Sequence, residues 1–498
     1  MNKRWLLLFL PLIAVITTSA QFFTGLRGSA FGGVTNVDYN PAIADSRFLV
    51  DINLIGVGVN AENNYIGINR QVLLHPSMFN DRNFQFDDLH ERLNGTNKTA
   101  YAGAMVQGPL SFMASFGKRK NRNKNAIAFT YHVNAITNLD NVNQTLARSA
   151  FYGLGSQAQA VLGFLNRNLD VRNLTFNTAV WNDYGITYSR VLISKGENML
   201  KIGGTLKLIQ PLIGAGAYIQ DLNYKWPQQG SLSVTAGNVN YGYTQGIIGP
   251  NGMPANISNY LANSLAYKYA TPTAAVDMGA IYEWRPDKGK NQTMDCHCHY
   301  TDDRNTYKLA AGFSVMDFGA MRFNRGQYSE SFNVQAQNWE VGELKLPNGV
   351  QSFDDSIRSK FQLLPNKKYM TLWLPTRFNM FLDYNIIKDF GIIFSGMVSP
   401  DMSPNHNMLH QVTLFTINPR YDYKWFGIYL PLSYDVMGNI SWGATLRAGP
   451  FIIGTQDLLG LFAKKYVYNM DIHAAVKITI PQLAKCRKHY DVRFGKNS

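Results

Sequence analysis

Apolar and polar positions alternate with a period of two along most of this chain. In 199–209, Leu200, Ile202, Leu206 and Leu208 share one parity, while Lys201, Gly203, Thr205 and Lys207 share the other. In 275–285, Val276, Met278, Ala280, Tyr282 and Trp284 oppose Asp277, Gly279, Glu283 and Arg285. Tyr307, Leu309, Ala311, Phe313 and Val315 alternate with Lys308, Ala310, Gly312 and Ser314. The pattern recurs in 377–384, 426–435, 440–447 and 468–479, and less sharply in 48–59, 127–133, 175–190, 215–224, 232–243, 390–398 and 411–417. Side chains point to opposite faces along a strand, so each run predicts one apolar face and one polar or small face.

Many runs reach about 10 residues, the length of a tilted membrane-crossing strand rather than the 5–6 typical of globular proteins. The apolar face often ends in Tyr or Trp, as at Tyr282, Trp284, Tyr307, Tyr384, Tyr434 and Tyr468, and such rings favour a membrane–water interface. A soluble sandwich or solenoid would also alternate. Run length and terminal aromatics favour an antiparallel transmembrane β-barrel. Composition agrees. The 498 residues are 46% hydrophobic and only 16% charged, with 29 Phe and 27 Tyr, yet the mean hydropathy is −0.17. A helical membrane protein would carry long apolar runs, and a disordered chain would lack aromatics.

The N-terminus addresses the chain for export. Lys3 and Arg4 precede an apolar core from Trp5 to Ile16, and Thr18-Ser19-Ala20 supplies a small-residue cleavage site. Residues 1–20 read as a signal peptide, and removing them lowers the formal charge from +14 to +12, because two cations leave. The connections 72–99, 134–173, 245–270, 286–305 and 317–369 are long and polar, with helical composition in 147–169, 258–270 and 354–364. The domain reading is an N-terminal segment 21–47, a barrel 48–480 and a basic tail 481–498.

Asp38-Tyr39-Asn40-Pro41-Ala42, placed just before the first strand, resembles the start of long-chain fatty-acid transporter (FadL-like) barrels and of PorV-like barrels. Gly204-Thr205-Leu206-Lys207, 277–286, Leu374-Pro375-Thr376 and Arg447-Ala448-Gly449-Pro450 are similar to an uncharacterised group of Bacteroidetes outer-membrane barrels. The resemblance implies an outer-membrane location, about 14 strands (range 12–16), and an N-terminal segment acting as a small lumen plug. Asn40, Pro41 and Ala42 would then be plug or gate residues. Read from the residues alone, the same tripeptide is a tight turn into the first strand. FadL-like relatives imply passage of hydrophobic or amphipathic small molecules. PorV-like relatives imply the alternative, a non-transporting structural or partner-binding barrel serving protein secretion or surface attachment.

Candidate chemistry is sparse. Cys296, His297, Cys298 and His299 are good metal ligands, but they are too closely spaced to converge easily on one tetrahedral ion, so no metal and no cofactor is expected. Cys486, beyond the last strand, is expected across the membrane from that pair. No nucleophile elbow, phosphate loop or metalloprotease helix occurs, which argues against an enzyme. Asp277, Glu283 and Arg285 are expected to pair within the lumen. Ser356, in Asp355-Ser356-Ile357, fits a short O-glycosylation pattern. The scattered basic charge of an exported chain does not suggest nucleic acid. The expected partners are outer-membrane lipid, a hydrophobic small molecule, and a periplasmic or secretion-machinery protein.

Overall fold

The computed structural model describes residues 23–75, 89–117, 124–152, 168–228, 231–250, 252–286, 307–340, 350–387, 389–403, 405–423 and 425–481. The alternating runs pair into one antiparallel sheet that closes on itself as a ring of about 14 staves. In chain order these are β1 (Phe48–Asn63), β2 (Lys98–Gln107 continuing as Ser111–Phe116), β3 (Asn125–Val142), β4 (Leu169–Lys195), β5 (Asn198–Gln228), β6 (Thr273–Trp284) and β7 (Leu309–Asn324). There follow β8 (Arg377–Asn385), β9 (Phe390–Val398), β10 (Leu414–Asp422), β11 (Phe426–Tyr429 and Leu432–Asp435), β12 (Ile440–Trp442 and Ala444–Ala448), β13 (Phe451–Thr455) and β14 (Asn469–Pro481). The ring is sealed by β1 against β14, from Phe48↔Pro481 to Glu62↔Asn469. No sheet edge is left in the wall, which is the condition for strands to cross lipid.

The burial pattern is inside-out relative to a soluble protein. Leu206, Met278, Phe313, Met380, Phe415, Ile440 and Ile472 are exposed, while Lys201, Lys207, Asp277, Asp383, Arg420 and Lys477 are buried. Exposed apolar surface over buried charge is the informative inversion, and it identifies a wall that faces lipid and encloses a polar lumen. From Asn198 to Leu208 the stave climbs about 25 Å, given a rise of about 3.3 Å per residue and a tilt near 40°. Tyr282, Trp284, Tyr384 and Tyr434 stay exposed on the outer face, as the aromatic ends of the runs predict. Tyr307 departs from that prediction. It lies just before β7, is buried, and donates to Asp383 Oδ2 at 2.6 Å, because a carboxylate inside the wall offers its hydroxyl a better partner than the interface does.

The two barrel ends differ. At the end holding Phe48 and Pro481, the turns are tight, as between Lys195 and Asn198 or Ala448 and Phe451. The opposite end carries most of the long connections. These include a helix at Gln144–Tyr152, the helix α1 (Ile257–Leu265) and the helix α2 (Val350–Lys360). β4 and β5, at 27 and 31 residues, run far beyond the other staves on this side. Together with short strands from 231–243 and 331–340 they enclose a separate apolar core containing Tyr224, Phe332 and Phe361.

Topology corrects one expectation. β6 is the sixth stave, so Trp284 and the start of β7 emerge at the tight-turn end, the end of Pro481. The connection between them, residues 287–306 with Cys296, His297, Cys298 and His299, lies outside the described residues, as does Cys486. The chain on both sides of that cluster therefore leaves the barrel at the same end as the C-terminal tail, not across the membrane from it. Length misled: a long polar connection suggested the long-loop end, but strand parity decides the side.

Candidate functional site: the plugged lumen

Residues 23–47 do not stay outside the barrel. They enter it and are buried almost throughout, as short 3-10 turns at Thr24–Leu26 and Gly33–Asp38 linked by irregular chain. Phe23 and Leu26 pack on Met105, Tyr429 and Ile452, while Val34, Val37 and Ile43 pack on Met113 and two alanines of β3. An irregular segment cannot satisfy its own backbone groups, and here wall side chains do it. Ser314 Oγ donates to the Tyr39 carbonyl at 2.5 Å and Asn379 Nδ2 to the same oxygen at 2.8 Å. Ala44 N donates to Ser189 Oγ at 2.9 Å, and Arg377 donates to the Asp38 carbonyl at 2.8 Å. Burial pushes the Tyr39 hydroxyl above its ordinary pKa, so it remains a neutral donor, 2.8 Å from the Met380 carbonyl.

Asn40, Pro41 and Ala42 sit at the tightest contact. Asn40 Nδ2 donates to the wall carbonyls of Ala280 at 3.2 Å and Phe313 at 3.1 Å, and its Oδ1 accepts from Ala42 N at 2.9 Å. The last bond is the local turn expected of the tripeptide; the first two fasten that turn to the wall. Gly203 and Gly279 are register partners across β5 and β6. A Cβ at Gly203 would overlap the Pro41 carbonyl, and one at Gly279 would overlap the Asn40 amide. The paired glycines make a flat seat where backbone meets backbone.

Charges on the inward face form an interlocked belt. Lys207 lies 3.0 Å from Asp277 and 2.5 Å from Asp317, and Arg377 lies 3.1 Å from Asp317. His132 bridges Asp183 of the wall at 2.9 Å and Asp38 of the plug at 3.1 Å. Nearer the tight-turn end, Glu283 contacts Lys201 and Arg285, and Arg285 reaches Asp45 of the plug at 2.9 Å. Arg420, fully buried, holds Asp383 at 2.9 Å and Asp422 at 2.7 Å. Buried charges must be paired and hydrogen-bonded to be tolerated, and these partners come from different staves and from the plug, so the belt ties plug to wall.

A cavity of about 50 Å³ remains inside this belt, lined by Asp38, His132, Asp183, Lys207, Asp317 and Arg377 among others. That is room for a few waters, not for a solute. Toward the long-loop end the interior turns apolar. Ile136, Trp181, Ile209, Met321 and Phe323 of the wall pack against Leu372, Leu374, Leu409 and Val412, which come from connections that fold into the barrel mouth. Reciprocal bonds hold one of those connections: His410 N donates to Asn138 Oδ1 at 3.0 Å, and Asn138 Nδ2 donates back to the His410 carbonyl at 2.9 Å.

Among the residues singled out from sequence, Asp277, Glu283 and Arg285 all lie inside, but in two groups: Asp277 joins Lys207 and Asp317, whereas Glu283 and Arg285 join Lys201 and Asp45. Ser356 is half-buried within α2 and donates its hydroxyl to the Ser352 carbonyl at 2.8 Å. Within the described residues no group of three His, Cys, Asp or Glu side chains is placed to hold a metal ion. His132, Asp183, Arg377 and Arg420 were not singled out. Their signal was parity: each is a charged or titratable residue on the face opposite an apolar run.

A closed antiparallel transmembrane β-barrel with its N-terminal segment folded inside as a plug is the class these features define. The chain belongs to a family of unknown function, DUF5723, whose profile matches residues 41–456. No curated protein matches the sequence. Solved structures with similar architecture include a Pseudomonas aeruginosa FadL homologue, at 10% identity and a TM-score of 0.39, covering 93% of this chain and 98% of that one. A TodX monoaromatic hydrocarbon channel mutant gives 9% identity and a TM-score of 0.36, covering 88% and 91%. The Pseudomonas putida toluene transporter TodX gives 10% identity and 0.27, covering 93% of each. At these values the likeness carries no substrate to this chain, and the barrel assignment rests on its own closed sheet.

Proposed function

We propose that this chain is an outer-membrane barrel that admits a hydrophobic or amphipathic small molecule through its long-loop end, with the N-terminal plug and its belt of ion pairs as the closed gate. One observation carries this reading. The lumen is layered, with an apolar lobe around Trp181 and Phe323 at the mouth and a charged, plugged belt beneath it. A general aqueous pore would be polar and open throughout, whereas an apolar lobe filled by connecting segments offers desolvated surface to an apolar ligand. The signal-peptide pattern of residues 1–20 and the lipid-facing wall support an outer-membrane location under this reading.

The test is uptake of palmitate and of toluene into proteoliposomes containing the full mature chain, compared with a variant lacking residues 23–47. Binding of either probe, lost on Trp181→Glu, together with faster entry in the plugless variant, is the expected result. The second reading, a structural or partner-binding barrel, is favoured by the small size of the cavity inside the charged belt, about 50 Å³. If neither probe binds and plug deletion leaves entry unchanged, the passage reading is wrong and the second one stands.

A further inference from the structure

The outer wall carries one element that a simple barrel does not need. Along β5 the outward-facing positions Leu206 and Leu208 are 62% and 48% exposed, but Gln210, on the same face, is 4% exposed. The stave has a β-bulge just beyond, between Val180↔Ile213 and Trp181↔Pro211. A bulge leaves a ladder group without its strand partner. Helix α1 covers the site from outside: Tyr260 Oη donates to the Leu212 carbonyl at 2.8 Å, and Gln210 Nε2 donates to the Leu265 carbonyl at 3.0 Å. Gln210 Oε1 accepts from Asn182 at 3.0 Å. The helix is capped by Asn256, whose side chain accepts from two backbone N–H groups. It is a built element, fixed on the barrel's outer surface.

The flank beside that seal is largely uncovered among the described residues. Ile257, Leu261 and Leu265 recur at four-residue spacing and are 61%, 36% and 51% exposed. The helix, Ile-Ser-Asn-Tyr-Leu-Ala-Asn-Ser-Leu, carries no charge. Tyr267 follows immediately, exposed, near Tyr184 of the wall, and Tyr184 stacks on Tyr131 at 5.0 Å between centroids. The apolar stripe is thus continuous, through an aromatic rim, with the lipid-facing band of Leu206 and Leu208.

We propose that α1 is an interfacial anchor. Its Ile257–Leu261–Leu265 stripe inserts into the acyl-chain boundary of the leaflet at the long-loop end, while its Tyr260 side seals the bulged wall. An amphipathic helix whose apolar face extends an existing lipid contact gains from burying that face in lipid. The proposal rests on the reading that the barrel wall spans a bilayer.

The test uses the full mature chain with its cysteines replaced by serine and one environment-sensitive fluorophore on Ile257→Cys. A second variant, Leu206→Cys, reports the wall. Both are checked for the mobility change on heating that a folded barrel gives. Each is reconstituted with brominated phospholipid and, separately, exposed to aqueous iodide. Comparable loss of emission with brominated lipid at both positions, with little iodide quenching, is the expected result. If the label at 206 is quenched by brominated lipid but that at 257 is quenched by iodide, the anchor proposal fails and the spanning wall stands. If both labels answer only to iodide, the spanning reading itself fails. A label at 257 quenched by neither is covered by protein, a second copy or a partner, which also overturns the proposal.

Discussion

The two halves of the lumen are closed by different balances of polar and apolar contact. Near the tight-turn end, the plug is held by hydrogen bonds from named wall side chains and by ion pairs such as Arg285–Asp45 and His132–Asp38. Near the long-loop end, closure comes from apolar side chains, Leu372, Leu374, Leu409 and Val412, laid against Trp181 and Ile136. The same wall encloses both. A polar closure is directional: it fixes one arrangement, and losing one partner strands the other. An apolar closure is non-directional and tolerates exchange of one apolar filler for another. The proposed function rests on that difference: it assigns the ligand to the outer lobe and the gate to the inner belt.

The contrast is broken most severely at Arg420. Its guanidinium serves Asp383, Asp422 and Asn385 with no solvent contact. Arg420→Ala leaves two buried carboxylates uncompensated and should cost about 3–5 kcal/mol, seen as a lower midpoint in urea unfolding of the reconstituted barrel. Arg420→Lys should recover only part, since one ammonium cannot reproduce the forked contacts. In the outer half, Leu409→Ala should cost about 2–5 kcal/mol as a cavity in a packed apolar cluster. Leu409→Met should be nearly neutral there, and that tolerance of a volume-conserving swap is what separates the two halves.

The staves were legible in the sequence because a wall between lipid and a polar interior imposes period two on every crossing. Lys201, Lys207, Asp277 and Glu283 could be assigned inward by parity alone. Plug geometry could not. Residues 23–47 have no period, and their partners, such as Met380 for Tyr39 or Lys477 for Gly32, lie hundreds of positions away. Turn chemistry at Asn40-Pro41-Ala42 was readable, since one of its bonds is local, but its two bonds to Ala280 and Phe313 require the closed ring. Tyr307 misled because a single inward carboxylate outweighed its position in an alternating run. The side expected for the connection after Arg285 misled because loop length is a weaker guide than counting staves, which puts its described flanks, Trp284 and Leu309, at the tight-turn end.

The seat of the plug gives a smaller and more selective effect. Gly203→Val places side-chain atoms where the Pro41 carbonyl lies. The wall can still close, because Gly203 remains a residue of a paired strand, but the plug must shift, at a cost of about 1–3 kcal/mol typical of overpacking. In planar bilayers the expected outcome is discrete conductance steps absent from the unaltered barrel. A variant that folds, shows the heat-dependent mobility shift and stays non-conducting would show that the charged belt seals the lumen without the seat. Asn40→Ala tests the same contact from the plug side, removing two bonds to wall carbonyls and leaving the apolar contacts of Val34 and Ile43.

The smallest expected effect concerns the latch on the outer lobe. His410 lies in the connection between β9 and β10, and its Nε2 is 2.8 Å from Asp140 Oδ2. Burial alone would lower the imidazole pKa, but the hydrogen bond and charge of Asp140, with a contribution from Asp401, hold it above its ordinary value of 6.5. Because the folded-state pKa is raised, the stabilisation is fully present below about pH 6.5 and is lost as pH rises through the elevated value. The connection carrying Leu409 and Val412 should therefore loosen on the alkaline side. Hydrogen exchange across 399–413 should quicken there beyond the intrinsic pH dependence. His410→Gln should remove that excess. If exchange in 399–413 keeps the same extra pH dependence in that variant, another group governs the latch, and the polar bond at His410 is incidental to an apolar closure that holds by itself.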